Sequence, residues 1–380
     1  MKIENIIKEN GFIVPDFKNS NVNISATLAE FLGAPNSNPT LDVLKKELKK
    51  EYKNVVFICF DGLGINPINK NLNKDSFLSK NIVSVLTSTF PSTTTNATVS
   101  LLSNSLPREH GWFGWSLYFK EINKGVYIFL DKATDNNEPL KNFSAFDKLH
   151  YEFYFEHTNS DYNVTAIVPN YVRIRDTKIK QTYYSQDEFF NKIKKQTLKE
   201  GKQFLYCYYP EPDHLMHEEG VTSNKTKKLI NKISEDVKKL YKETTDTLFI
   251  ISADHGQVDI TESIELYKDE KLLNLLEVPP FLEARATAFI VKKGKEVEFE
   301  KLFNEKYKND FVLFKSKDLI DYGIFGEKGN KEYLLGDYIA IGTKTNKEFI
   351  LTKFQPKFKG HHTSLTDEML VPLIMFNNKK

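Results

Sequence analysis

One stretch constrains this chain more than any other: Thr247-Leu248-Phe249-Ile250-Ile251-Ser252-Ala253-Asp254-His255-Gly256. An uncharged, mostly β-favouring run leads straight into a carboxylate, an imidazole and a glycine. A run of this kind without alternation fits a strand buried on both faces, as in the middle of a mainly parallel sheet. In open α/β sheets, ligands bind beyond the carboxyl ends of the strands, where Asp254 and His255 stand. Neighbouring strand side chains point to opposite faces. The two converge on one ion only if the backbone leaves the strand there, and Gly256 permits that turn. Asp with neutral His suits zinc or a similar divalent ion. Alone, the tripeptide is better read as a polar turn at a strand end.

The pattern recurs along the chain. Residues 1–50 read as an N-terminal extension packing on the main domain, with a helix from Leu41 that Thr40 is expected to cap. Val55 to Phe60 is an apolar run ending in Asp61-Gly62, and Ile82 to Leu86 reads as a short strand. Ser92 to Thr95 supply four consecutive hydroxyls before a helix at Ala97 to Leu102. One cap needs fewer, and the start of a helix presents free N–H groups and a positive dipole end to a phosphate. Val126 to Leu130 and Val164 to Val168 read as strands or a hairpin around a helical segment near Ser144 to Tyr154. A helix at Gln186 to Leu198 leads into the strand Phe204 to Tyr208, which runs into Asp213-His214-Leu215-Met216-His217. An amphipathic helix carrying Leu229, Ile233, Val237 and Leu240 feeds the Thr247 strand. Strand, helix and strand thus alternate as a parallel sheet requires. From about 262 to 355 short strands sit among Lys-rich loops, which reads as an inserted smaller subdomain. Gly360-His361-His362 and a final apolar strand close the chain.

Asp61, Asp213, His217, Asp254, His255 and His361 or His362 therefore collect at one edge of one sheet, with Thr94 at a helix start beside them. Each alone is an ordinary cap or surface residue; together they are hard to explain as caps. Two divalent ions among three carboxylates leave net positive charge, which favours an anionic substrate. Such ions, roughly 3.5–4 Å apart, clamp the attacking and leaving oxygens of an in-line displacement. A threonine hydroxyl becomes a useful nucleophile only when a metal or base activates it.

The bulk numbers limit the partners. With 380 residues, 40% hydrophobic and 27% charged, the chain is globular with a substantial core. A net charge of +2 argues against a dedicated nucleic-acid surface. No apolar stretch approaches the roughly 18 residues of a membrane span, and the N-terminus lacks the pattern of a signal peptide. Cys59 and Cys207 lie in apolar runs and read as buried thiols. A reducing cytoplasm is the expected location.

ICFDG, FPSTTTNATVSLL with LPREHG, PEPDHLMH, SADHG and GHHTSLTDEMLVPLI stand in an order and spacing that resemble the nucleotide pyrophosphatase/phosphodiesterase family of the alkaline phosphatase superfamily, its soluble prokaryotic members above all. The resemblance spans roughly residues 50 to 376. It implies an α/β, alkaline phosphatase-like three-layer sandwich. It implies Thr94 as nucleophile and as a contact of the metal that activates it, with Asp61, Asp254 and His255 as that metal's ligands. Asp213, His217 and His362 then match the ligands of the other metal, with zinc expected at both sites and manganese as the alternative. The implied reaction is hydrolysis of phosphodiester or phosphoanhydride bonds in small nucleotide-like substrates through a covalent threonine intermediate. Two departures stand out. Trp115 occupies the position where animal members carry an asparagine that holds a phosphoryl oxygen; it could stack on the substrate, with Tyr209 nearby, or pack beneath the loop. Thr363 replaces a glycine usual after the ligand histidine. Within the superfamily, phosphomonoesterase and phosphonate hydrolase activity are the alternatives, and a non-catalytic metal-binding homologue ranks below them. A sulfatase needs a C/S-x-P-x-R run that is absent here.

Overall fold

The computed structural model describes residues 2–171 and 179–379. Its main sheet contains seven strands: β1 (Asn54–Phe60), β2 (Ile82–Thr87), β3 (Tyr162–Pro169), β4 (Lys180–Tyr183), β5 (Lys202–Tyr209), β6 (Thr247–Ser252) and β7 (Leu370–Asn377). They lie in the order β2-β7-β6-β1-β5-β3-β4. β6, β1, β5, β3 and β4 run parallel, and β7 is antiparallel to β6 and β2. Every residue of β1 and β6 is buried, as unbroken apolar runs require of central strands. Phe60 meets Phe189 of the helix Gln186–Thr197. Phe57 points the other way, to Tyr206, which packs on Phe155. The chain is thus an α/β fold with a mainly parallel core.

Three helices frame the site. α1 (Thr94–Ser103) begins three residues before the segment read as helical, α2 (Asp213–Glu219) follows β5, and α3 (Asn224–Glu243) leads to β6. The N-terminal segment supplies the helix Asn21–Phe31, buried throughout from Asn21 to Ala29. Ser25 Oγ of that helix donates to the carbonyl of Leu101 in α1 at 2.7 Å. Among the described residues, no helix is long and apolar enough to cross a membrane.

A second, antiparallel sheet joins Ser116–Phe119, Lys124–Tyr127 and Lys132–Ala133 to Phe281–Leu282, Ala286–Phe289, Tyr338–Gly342 and Phe311–Lys315. The 262–355 segment therefore shares its sheet with residues 116–133. This placement corrects the hairpin expectation. The strand near Val126 ends at Tyr127 and pairs with Ser116–Phe119, while β3 pairs in parallel with β5 in the other sheet. Between them, Ala145–Lys148 and Tyr154–Glu156 are helical, not one continuous segment. Phe153, Tyr154 and Phe155 are all buried, and three consecutive buried side chains cannot share one helical stripe. Thr40 is not the cap of Asp42–Leu48; Leu41 occupies the N-cap position, without a side-chain cap bond.

Candidate two-metal centre

The carboxyl ends of β1, β5 and β6 lie side by side, with Phe60 opposite Tyr209 and Cys59 opposite Ser252. Asp61 donates its backbone N–H to the Tyr209 carbonyl at 2.9 Å, and Asp213 N–H reaches the Asp61 carbonyl at 3.1 Å. These bonds bring two carboxylates from distant segments together. Gly62 has φ +71°, and a Cβ there would stand 2.9 Å from Asp213 Cβ, so the turn requires glycine.

Gly256 serves a different purpose from the one expected. It is absent from the positive-φ positions. What matters is contact: a Cβ on Gly64 would stand 2.5 Å from Gly256 Cα. The turns after β1 and β6 press together backbone to backbone. Asp254 Oδ1 accepts from the N–H groups of Gly62 at 3.1 Å and His255 at 2.9 Å.

The three histidines share one arrangement. His255 Nδ1 lies 3.0 Å from the Gly256 carbonyl, His217 Nδ1 2.8 Å from Gly360, and His362 Nδ1 2.9 Å from Ser92. A carbonyl accepts only from N–H, so each Nδ1 carries a proton, and in the neutral ring each Nε2 offers a lone pair. His255 Nε2 is 3.4 Å from Asp61 Oδ1 and 3.6 Å from Asp254 Oδ2. His217 Nε2 is 3.2 Å from Asp213 Oδ2, and His362 Nε2 is 3.7 Å from Asp213 Oδ1. Imidazoles oriented by carbonyls, with their other nitrogens turned to carboxylates, are the usual environment of metal-binding histidines.

Among the described residues, two groups bring their ligand atoms within 4.8 Å of one another: Asp213, His217 and His362, and Asp61, Asp213 and His255. Asp213 belongs to both. The residues fit divalent cations on independent grounds. Asp254 Oδ2 is buried with no hydrogen-bond partner, an arrangement costly unless a cation is expected there. Burial, with Asp254 and Asp213 nearby, pushes the Asp61 carboxyl well above its usual range. Burial also raises that of Asp254, against the pull of His255. Asp213 is held below its usual range, despite burial, by His217 and His362.

Thr94 opens α1, with Thr93 as N-cap. Its Oγ1 lies 3.1 Å from His255 Nε2 and 3.4 Å from both Asp61 oxygens. A cavity of about 630 Å³ extends from Asp61, Thr94 and Asp213 along Thr98, Leu102 and Trp115. Thr94, Thr98 and Leu102 succeed one another at four-residue intervals, so this wall is one face of α1 and runs about 12 Å. Trp115 is 40% exposed, lines the cavity and stands edge-on to Phe129 at 6.2 Å.

Tyr209 is the site residue that the structure turns away. Alternation along β5 sends Tyr206 and Tyr208 to the cavity. Tyr209 packs instead among Phe60, Tyr183 and Phe189, and its hydroxyl contacts Gln186 at 3.2 Å. Tyr208, which sequence reasoning passed over, donates its hydroxyl to Asp61 Oδ2. No sequence signal singles it out: register sets Tyr208 opposite Cys59, two residues before Asp61 and so on its side of the sheet.

Other histidines have other partners. His110 is buried against Ser100 and the Trp112 N–H, and His361 is paired with the buried Glu348 at 2.7 Å. Thr363 adopts φ +91°, conformational space that favours glycine and costs a β-branched residue about 1–3 kcal/mol. Its N–H donates to Ser92 at 3.1 Å, and its Oγ1 accepts from Arg285 N–H at 3.2 Å. These bonds hold the strained turn beside His362.

Glu283 braces the Trp115 loop, accepting the Trp115 N–H at 2.6 Å. Burial raises its carboxyl from 4.5 to about 7. The fold thus keeps a proton that the unfolded chain has already released. Its contribution is complete below about pH 4.5 and is lost as pH rises to about 7, at a cost on the order of 3 kcal/mol. Glu283→Gln is expected to raise Tm at pH 8 and to leave it nearly unchanged at pH 5. Equal shifts in thermal scans at both pH values would count against this account.

The family model described as type I phosphodiesterase / nucleotide pyrophosphatase matches residues 55–317. No curated protein matches the sequence. Among solved structures, the chain is similar to murine ectonucleotide pyrophosphatase/phosphodiesterase 5, with TM-score 0.60, 18% identity and coverage of 86% of this chain and 90% of that one. An inactive variant of the same murine protein, in complex with AMP, gives TM-score 0.59, 18% identity and the same coverage. Phosphonoacetate hydrolase from Sinorhizobium meliloti, in complex with phosphonoacetate, gives TM-score 0.58 and 13% identity over 86% of this chain and 90% of that one. With the match covering most of the chain and the Asp/His edge that such hydrolases need in place, this protein belongs to the type I phosphodiesterase / nucleotide pyrophosphatase family of hydrolases.

Proposed function

We propose that the chain hydrolyses phosphodiester or phosphoanhydride bonds of small nucleotide-like substrates through a phosphothreonine at Thr94. The observation that carries this reading is the position of Thr94 Oγ1, at the start of a helix, 3.1 Å from His255 Nε2 and beside a roomy cavity. Asp61, Asp254 and His255 would hold one divalent ion and Asp213, His217 and His362 another, zinc being our choice and manganese a substitute. Bound there, the ions supply Lewis-acid charge that lowers the pKa of the threonine hydroxyl and stabilises the leaving oxygen.

The chain's own residues do the rest. The N-terminus of α1 directs free N–H groups and its dipole toward the phosphoryl group. Thr94 Oγ1 bonds phosphorus as the bond to the leaving oxygen breaks. Water then cleaves the threonine phosphate, which restores the hydroxyl and releases a monoester. Tyr208 holds Asp61 through its hydroxyl. Trp115 and Leu102 shelter the organic group along the α1 wall of the cavity.

The chain has only four arginines, Arg108, Arg173, Arg175 and Arg285. A phosphomonoester dianion needs more positive charge than a diester monoanion, so this scarcity favours diesters. An aryl phosphodiester is therefore expected to show kcat/KM at least about tenfold above that of the matching monoester, a difference of roughly 1.4 kcal/mol. The reverse preference in steady-state assays would replace this reading with a phosphomonoesterase.

A further inference from the structure

Gln257 follows the Asp254-His255-Gly256 turn directly and is fully buried. Its Nε2 donates to Asp213 Oδ1 at 2.5 Å and to the Asp213 carbonyl at 3.1 Å. Its backbone carbonyl accepts from Asn66 Nδ2 at 2.7 Å, in the segment that follows Asp61. The next residue, Val258, pairs in an antiparallel ladder with His361, the neighbour of His362. The four segments that carry the candidate ligands therefore meet around Gln257. Packing leaves no slack there. A Cβ on Gly360 would stand 2.7 Å from Gln257 Oε1 and 2.6 Å from the Met216 carbonyl.

A carboxylate that serves two cations must present its two oxygens in a fixed plane. Asp213 Oδ2 faces His217, while Oδ1 lies between His362 and the Gln257 amide. A donor on Oδ1 fixes that plane. The donor must also be neutral: a lysine would compete with the cations, and a glutamate would add a fourth negative charge beside Asp61, Asp213 and Asp254. A methionine of the same length would fill the space without donating. Glutamine meets both requirements.

We infer that Gln257 is a positioning residue that orients Asp213 for both metal clusters and so couples their filling. The inference rests on the two-metal reading above. Without its amide, Asp213 is free to turn. The site that relies on it most, with His217 and His362, weakens by about 10–100-fold, the usual cost of losing a hydrogen-bond partner behind a metal ligand. The site with Asp61, Asp254 and His255 keeps two carboxylates and changes little.

The test is a zinc titration of metal-free full-length protein against a competing chromophoric chelator, for the native chain, Gln257→Met and Gln257→Asn. Thermal scans of the metal-free forms accompany it. The native chain is expected to take up two zinc ions in one transition. Both variants are expected to split it into two, with one affinity lowered by tenfold or more and the other within about threefold of native. Unchanged titrations for both variants overturn the inference. So does an equal weakening of both sites together with a lower metal-free Tm, because that is the signature of a damaged fold. A native chain that binds no zinc or manganese removes the two-metal reading itself.

Discussion

Thr94→Ala is expected to lower kcat/KM on an aryl phosphodiester by about 10³-fold or more, while the protein remains folded and keeps its metal. The magnitude follows from other enzymes in which a nucleophile was removed and residual catalysis came from the remaining electrostatics. The fold tolerates the change for local reasons. Thr93, not Thr94, is the N-cap of α1, and alanine is the best helix former for the first helical position. The Thr94 hydroxyl faces Asp61 and His255, so no buried apolar packing depends on it. Thr94→Ser keeps the hydroxyl on the same carbon and is expected to retain a measurable part of the rate. Steady-state kinetics with elemental analysis of both variants provide the check. Activity of Thr94→Ala within tenfold of native would mean that water attacks directly and that no threonine phosphate forms.

Asp213→Ala is expected to weaken zinc binding at both sites, most at the one with His217 and His362, whereas His217→Ala weakens that one alone. The contrast arises because Asp213 belongs to both groups of converging ligand atoms and His217 to one. Both substitutions lie in α2 and remove one partner of the same Asp213–His217 contact, so a general loss of stability does not produce this pattern. Zinc titrations distinguish them; a site of native affinity remaining in Asp213→Ala would show that Asp213 is not shared. A pH effect accompanies the metals. Asp61 and Asp254 have carboxyls raised chiefly by burial, so the metal-free fold holds protons that the unfolded chain releases. Its stability from these groups falls as pH rises above the ordinary aspartate range. Cations displace those protons and remove the penalty. The gain in Tm on adding zinc is therefore expected to grow from pH 5.5 to pH 8.

Much of the candidate site was legible because its residues sit at local signals. Asp61 and Asp254 follow unbroken apolar runs that end in glycine within two residues, and the strands are buried as such runs require. Asp213 and His217 are one helical turn apart at the start of α2. The glycine after His255 was legible as a turn residue but not for its actual reason, the contact with Gly64. Nothing local in Gly64 or Gly256 reveals the other. Thr363 teaches the converse lesson. A position expected to favour glycine keeps its left-handed backbone with threonine, because Ser92 and Arg285 hold it through bonds from distant segments.

By itself, the sequence determined the class of the fold, the family resemblance and the candidate ligand residues. Each depends on period, strand ends and motif order, which neighbouring residues carry. Only the tertiary structure decided that Asp213 reaches both clusters, that Tyr208 and not Tyr209 faces the cavity, that residues 116–133 join the second sheet and that Gln257 grips Asp213. Those features depend on strand register and on contacts between segments far apart in the chain, such as the 147 residues between Asp61 and Tyr208. A one-residue change of register exchanges the faces of a strand, and no local pattern in β5 specifies which of its tyrosines meets the carboxylate.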